Sequence, residues 1–223
     1  MWHPVSRMLA DRGDETSVCT LPPHVRTGQD VLDAYLAHLP TDRDLVLVPH
    51  SGAGAYVPAL SVQRPVVATV FVDAVLPPAT GRVPLAPAAL LDLLRRKVDA
   101  DGLLPPWTSW WDEADVAPLF PDADSRAGVE REQRRLPLAY FTEALAVPPG
   151  WDERPGAYVA FGDTYADERA DAARRAWPVR RLAGGHLHPL HDPELVADTL
   201  RGLLDLVVPG VAQPRSGRAR SQG

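Results

Sequence analysis

The chain has 223 residues, 45% of them hydrophobic and 23% charged, with a formal net charge of −6; that is the balance of an ordinary globular protein with one sizeable core. The acidic excess argues against a nucleic-acid partner, and no apolar run approaches the ~20 residues that cross a bilayer, so neither nucleic acid nor membrane is expected as a partner. Cys19 is the only cysteine, which excludes an intramolecular disulfide and a cysteine-built metal cage; with no secretory pattern at the N-terminus, the expected location is the cytoplasm.

Met1 to Arg12 reads as a helix with Val5, Met8 and Leu9 as its apolar positions and Gly13 as its stop. Thr16 to Leu21 reads as a short strand ended by Pro22-Pro23, and Asp30 to Leu39 as a helix with Val31, Leu32, Tyr35, Leu36 and Leu39 on one face. Leu45-Val46-Leu47-Val48 and Val66 to Val72 are continuous apolar runs, the pattern of parallel strands covered on both faces. Gly156 to Phe161 and Val179 to Leu182 are weaker strand candidates. Helical patterns lie between and after them, at Gly54 to Ser61, Ala166 to Trp177 and Pro193 to Val208. This alternation predicts an α/β fold: a mostly parallel sheet with helices on both faces.

Residues 76–151 interrupt the alternation. The stretch is rich in proline and aromatics, with helical pieces at Ala88 to Val98 and Ser125 to Arg135. It reads as a helical cap inserted into a core made of residues 1–75 and 152–208, with 209–223 as a disordered tail carrying Arg215, Arg218 and Arg220. Trp107, Trp110, Trp111, Tyr140 and Phe141 are candidates for the lining of a substrate pocket; the competing reading is that they pack the cap onto the body.

The strongest chemical signal is Leu45-Val46-Leu47-Val48-Pro49-His50-Ser51-Gly52-Ala53-Gly54, an apolar strand turning sharply through small residues into a helix. A serine hydroxyl is a weak nucleophile and must project from such a turn to meet a base. The Gly52 N–H, at the helix start, is placed to face a developing oxyanion. The motif resembles the nucleophile elbow of the α/β-hydrolase superfamily, Gly-x-Ser-x-Gly, with Pro49 at the first glycine position and Ala53 at the second. The proline fixes φ and adds bulk, so a distorted elbow is expected. The resemblance covers roughly residues 2 to 206 and implies that Ser51 is the nucleophile.

It also implies a base in the loop after the last strand. In Ala183-Gly184-Gly185-His186-Leu187-His188-Pro189-Leu190-His191-Asp192-Pro193-Glu194, His186 holds that place, and His188 and His191 either support the site's residues from behind or serve the loop's structure. Asp192 and Pro193 give helix-start chemistry. For the third member, Asp163 lies in the usual loop after the penultimate strand, although the commonest spacing falls on Tyr165. Asp73, at the end of the strand after the elbow, is the reserve. The three histidines also resemble a metallo-hydrolase motif, but Leu190 stands where that motif needs an aspartate, so no metal and no cofactor is expected.

The family's opening hairpin, and the strand whose loop gives a second oxyanion N–H, have no counterpart before Trp2-His3-Pro4-Val5. Either the sequence begins inside a longer reading frame, or the chain is a shortened relative lacking a donor worth ~10²–10³-fold in turnover. The resemblance implies a serine hydrolase of esterase type, using a Ser-His-Asp triad on a small ester, thioester or lactone with an apolar part. A lyase or cyclase of small-molecule biosynthesis on the same scaffold, or a catalytically silent binding domain, are the alternatives.

Overall fold

The computed structural model describes residues 1–208. The tail 209–223, with Arg215, Arg218 and Arg220, lies outside the described residues. Four parallel strand positions make the main sheet. The first is a broken strand, β1 (Leu45–Leu47) and β2 (His50–Ser51), and both pieces pair with β3 (Val66–Ala74). A hairpin-like pair follows, β4 (Gly81–Pro84) with β5 (Ala144–Val147), before β6 (Gly156–Phe161) and β7 (Val179–Leu182) complete the main sheet. Its order is β1/β2, β3, β6, β7.

The α/β expectation holds because the strand sequences demand cover on both faces. Val70, Phe71 and Val72 of β3 and Ala157, Tyr158 and Val159 of β6 are all fully buried. Alternation along each strand divides them between two cores. Val70, Val72, Ala157, Val159 and Phe161 meet Val5 of helix His3–Asp11 and Val196, Leu200 and Leu203 of helix Pro193–Val207. Phe71 and Tyr158 point the other way, toward Val31 of helix Gly28–His38, Tyr56, and Trp151. Each buried valine, leucine or phenylalanine among them contributes ~1.5–3 kcal/mol by leaving water. Helix starts follow local chemistry: Thr27 and Asp30 form a capping box, and Asp192 accepts from the Leu195 N–H at 2.9 Å.

Two sequence expectations fail. Thr16 to Leu21 forms no strand. Its polar side chains bond sideways instead, Thr16 to Ser6 and Ser17 to His38, so the segment ties two helices together and joins no ladder. Helix Gly54 to Ser61 starts early as a 3-10 turn, Gly52–Tyr56, before the α-helix Val57–Ser61. The inserted stretch holds the expected helices as Ala88–Arg95 and Ala123–Glu132. The β4–β5 ladder, Gly81 opposite Val147 through Pro84 opposite Ala144, joins the two ends of that stretch and has no periodic signature strong enough to announce it. Among the described residues, no helix is long and apolar enough to cross a membrane.

Candidate active site

Ser51 ends β2 with φ 56° and ψ −132°, a conformation that non-glycine residues rarely adopt. Such backbone costs of order ~1–3 kcal/mol and persists only where its surroundings impose it. Here the sheet imposes it on one side, since the Ser51 carbonyl accepts from the Val75 N–H at 3.1 Å. The 3-10 turn imposes it on the other. Gly54 is the small residue the turn requires, because a Cβ there would stand 2.0 Å from the Val75 carbonyl oxygen. At Gly52, by contrast, an added Cβ meets nothing within 4 Å. The distortion expected from Pro49 is a break in the strand: β1 stops at Leu47, the register shifts, and Pro49 still accepts from the Val72 N–H at 2.9 Å.

His186 arrives from the loop after β7. Its Nδ1 donates to Asp73 Oδ2 at 2.7 Å, and the second carboxylate oxygen accepts the Phe161 N–H at 3.0 Å. Asp73 is fully buried, at the end of β3, with its own left-handed φ of 42°. A buried carboxylate is tolerable only when its lone pairs are used in this way. Because the carboxylate accepts at Nδ1, the free lone pair of the imidazole is on Nε2. The preference for Asp163 is therefore corrected: Asp163 is exposed and bonds Arg169 and Arg181 at 3.2 and 3.1 Å, and the reserve Asp73 is the carboxylate that reaches His186. Solvation and two guanidinium partners hold Asp163 outward, whereas β3 carries Asp73 inward.

Two residues that sequence reasoning left without a role also converge here. His50 stacks on His186 with ring centres 4.3 Å apart, and its Nε2–H donates to the His186 carbonyl at 2.9 Å. Trp2 meets the His50 ring edge-on at 6.1 Å. Desolvation, and after it the neighbouring His186, push the His50 pKa well below the usual histidine value, so this ring is neutral. Tyr165 OH lies 3.1 Å from Ser51 Oγ, and its ring centre lies 5.8 Å from that of His186. The only trace of Tyr165 in the sequence was its spacing after β6.

The remaining histidines serve the loop. His188 packs on Phe161 at 5.2 Å and on His191, with burial lowering its pKa, and His191 Nε2 donates to the Leu119 carbonyl. Among the described residues, no cluster of three His, Cys, Asp or Glu side chains is disposed to hold a metal.

The aromatics of the inserted stretch separate into groups. Trp110 and Phe141 are buried together, joined by Trp107 and Tyr140. Trp110 donates its indole N–H to Pro105, and Trp111 is the most exposed of the set. Tyr140 OH bonds Tyr56 OH at 2.9 Å, which ties the stretch to the turn after Ser51. Trp107 also reaches a second group, Val116, Phe120 and Leu187, the last adjacent to His186. None of these five rings pairs with Ser51 or His186 among the described residues; His50 and Tyr165 do. A surface depression of about 410 Å³ lies elsewhere, lined by Gly162, Arg181, Leu182, Ala183 and Gly184, and includes neither Ser51 nor His186.

The fold has solved counterparts. An extracellular alpha/beta-hydrolase from a Paenibacillus species aligns with a TM-score of 0.65 and 16% identity, covering 92% of each chain. A variant of tomato methylketone synthase I, complexed with beta-ketoheptanoate, aligns with a TM-score of 0.70 and 12% identity, again over 92% of both chains. A methylesterase from Arabidopsis gives a TM-score of 0.62 and 14% identity, over 92% of this chain and 93% of its own. No curated protein matches by sequence. The profile of the Alpha/beta hydrolase family matches residues 9–199, most of the chain, and the protein belongs to that family.

Proposed function

We propose that the protein is a serine hydrolase that cleaves a small ester, thioester or lactone with an apolar part, through Ser51, His186 and Asp73. The observation that supports this most is the 2.7 Å bond from His186 to the buried Asp73, beside a serine held at positive φ on a strand-to-helix turn. Asp73 orients the imidazole and stabilises its charged form. His186 Nε2 takes the Ser51 proton as Oγ adds to the substrate carbonyl, then returns it to the leaving group. The Gly52 N–H faces the oxyanion. Leu187, buried against Val116 and Phe120 with Trp107 alongside, gives the base an apolar neighbourhood suited to an apolar acyl or alkyl group.

A second reading, a lyase or cyclase, or a silent binding domain, is favoured by one observation: Ser51 Oγ bonds Tyr165 OH and not His186. Fluorophosphonate labelling separates the readings. The protein should label, and Ser51→Ala should abolish labelling while the melting temperature stays the same. Equal labelling of the variant refutes Ser51 as nucleophile.

A further inference from the structure

Tyr165 occupies the residue just before helix Ala166–Arg174, in the loop where this family commonly carries its triad acid. In this chain the acid's bond to His186 comes from Asp73, at the end of β3, and the vacated position presents a phenol to the nucleophile instead. The 3.1 Å contact is to Ser51 Oγ itself, the atom on which the tetrahedral adduct is built. The oxyanion forms on the carbon that Oγ attacks, so a hydroxyl resting on Oγ needs only a short shift to reach it. We propose that Tyr165 is a catalytic residue whose hydroxyl donates a hydrogen bond to the oxyanion formed at the substrate carbonyl, opposite the Gly52 N–H.

This rests on the Ser51 reading above and deepens it. Burial, and after it the charges of Asp73 and Glu168, raise the Tyr165 pKa against the lowering effect of its bond to Ser51. The phenol therefore keeps its proton and has it to donate throughout the reaction. The step balances without a proton leaving Tyr165. Oγ bonds the carbonyl carbon as its proton passes to His186 Nε2, and the carbonyl π pair moves onto oxygen. Tyr165 and Gly52 hold that oxygen. When the pair returns, the bond to the leaving oxygen or sulfur breaks, and that atom takes the proton from His186. Before substrate binds, the phenol rests on Oγ; the developing oxyanion is the stronger acceptor and draws it away. The bond is then stronger in the transition state than in the ground state, which is the condition for lowering the barrier.

The test uses the full chain, p-nitrophenyl butyrate as substrate, and butylboronic acid, whose serine adduct carries an oxygen at the oxyanion position. Tyr165→Phe keeps the ring and removes the hydroxyl. In a protein that labels with fluorophosphonate, kcat/KM should fall ~10²-fold with KM little changed, and the boronate Ki should rise in parallel. Rate and boronate affinity both within about threefold of the parent overturn the donor role. A fall in rate with unchanged boronate affinity also overturns it, because Tyr165 then only orients Ser51. If the unsubstituted protein does not label at all, the Ser51 reading fails, and this inference fails with it.

Discussion

Asp73→Asn is the sharpest single perturbation of the site. Asp73 is 0% exposed, and its two oxygens accept from His186 Nδ1 at 2.7 Å and from the Phe161 N–H at 3.0 Å. Asparagine has the same shape, and its amide oxygen still accepts from Phe161. Its NH₂ then confronts Nδ1–H, two donors facing each other at a position closed to bulk solvent. The imidazole resolves this by moving its proton to Nε2, the nitrogen that the proposed mechanism needs free to receive the proton of Ser51. Loss of the correct tautomer is worth ~10⁴ in kcat, about 5 kcal/mol of barrier. The fold should barely respond, because the Phe161 bond survives and a buried charge is removed; a change within ~1 kcal/mol moves the melting temperature by only ~2–4 °C. Initial rates on p-nitrophenyl butyrate from pH 6 to 9 make the measurement, with Asp163→Asn alongside. Asp163 is an exposed partner of Arg169 and Arg181, so its substitution should leave the rate within about threefold. A larger loss from Asp163→Asn than from Asp73→Asn would refute the assignment, as would an Asp73→Asn protein retaining a tenth of its activity or more.

Two further outcomes follow from the elbow. Gly54→Ala puts a Cβ 2.0 Å from the Val75 carbonyl, where backbone must move; it should cost ~3 kcal/mol, about 6–12 °C in melting temperature. Gly52→Ala meets nothing within 4 Å and should melt within ~2 °C of the parent, so equal effects of the two would contradict the close approach. His50, held neutral by desolvation, binds a proton more readily when unfolded than when folded. Its contribution to stability is full above the unfolded pKa of about 6.5 and is lost as pH falls below that toward the folded value, at up to ~1.4 kcal/mol per pH unit. His50→Gln can still donate to the His186 carbonyl and does not titrate. Urea denaturation from pH 7 to 5 should then show a flatter decline than in the parent; His188, also lowered by burial, keeps part of the slope. An unchanged slope would mean that the His50 ring is solvated.

Signals that act within a few residues were legible in the chain. The apolar run of β3 is buried along nearly its whole length and that of β1 at Leu47, and the Pro49-to-Gly54 turn places a serine where only a tight bend can hold it. The helix start at Asp192 and Pro193 was likewise written in adjacent residues. Thr16 to Leu21 misled because β-branched and apolar residues suit a strand only if a neighbouring strand is there to pair with, and the segment's partners turned out to be Ser6 and His38. The choice between Asp163 and Asp73 could not be made locally, since both sit at strand ends in suitable sequence. It was decided by a bond across 113 residues, and the contact of Tyr165 with Ser51 spans 114. The β4–β5 ladder likewise pairs Gly81–Pro84 with Ala144–Val147, segments far apart in the chain. Periodicity, caps and turns report the free energy of a short window, so the sequence by itself determined the strand–turn–helix scaffold and the serine at its bend. Which carboxylate is drawn inward, and which hydroxyl meets Ser51, depends on how the packed strands align their ends, and only the tertiary structure decided that.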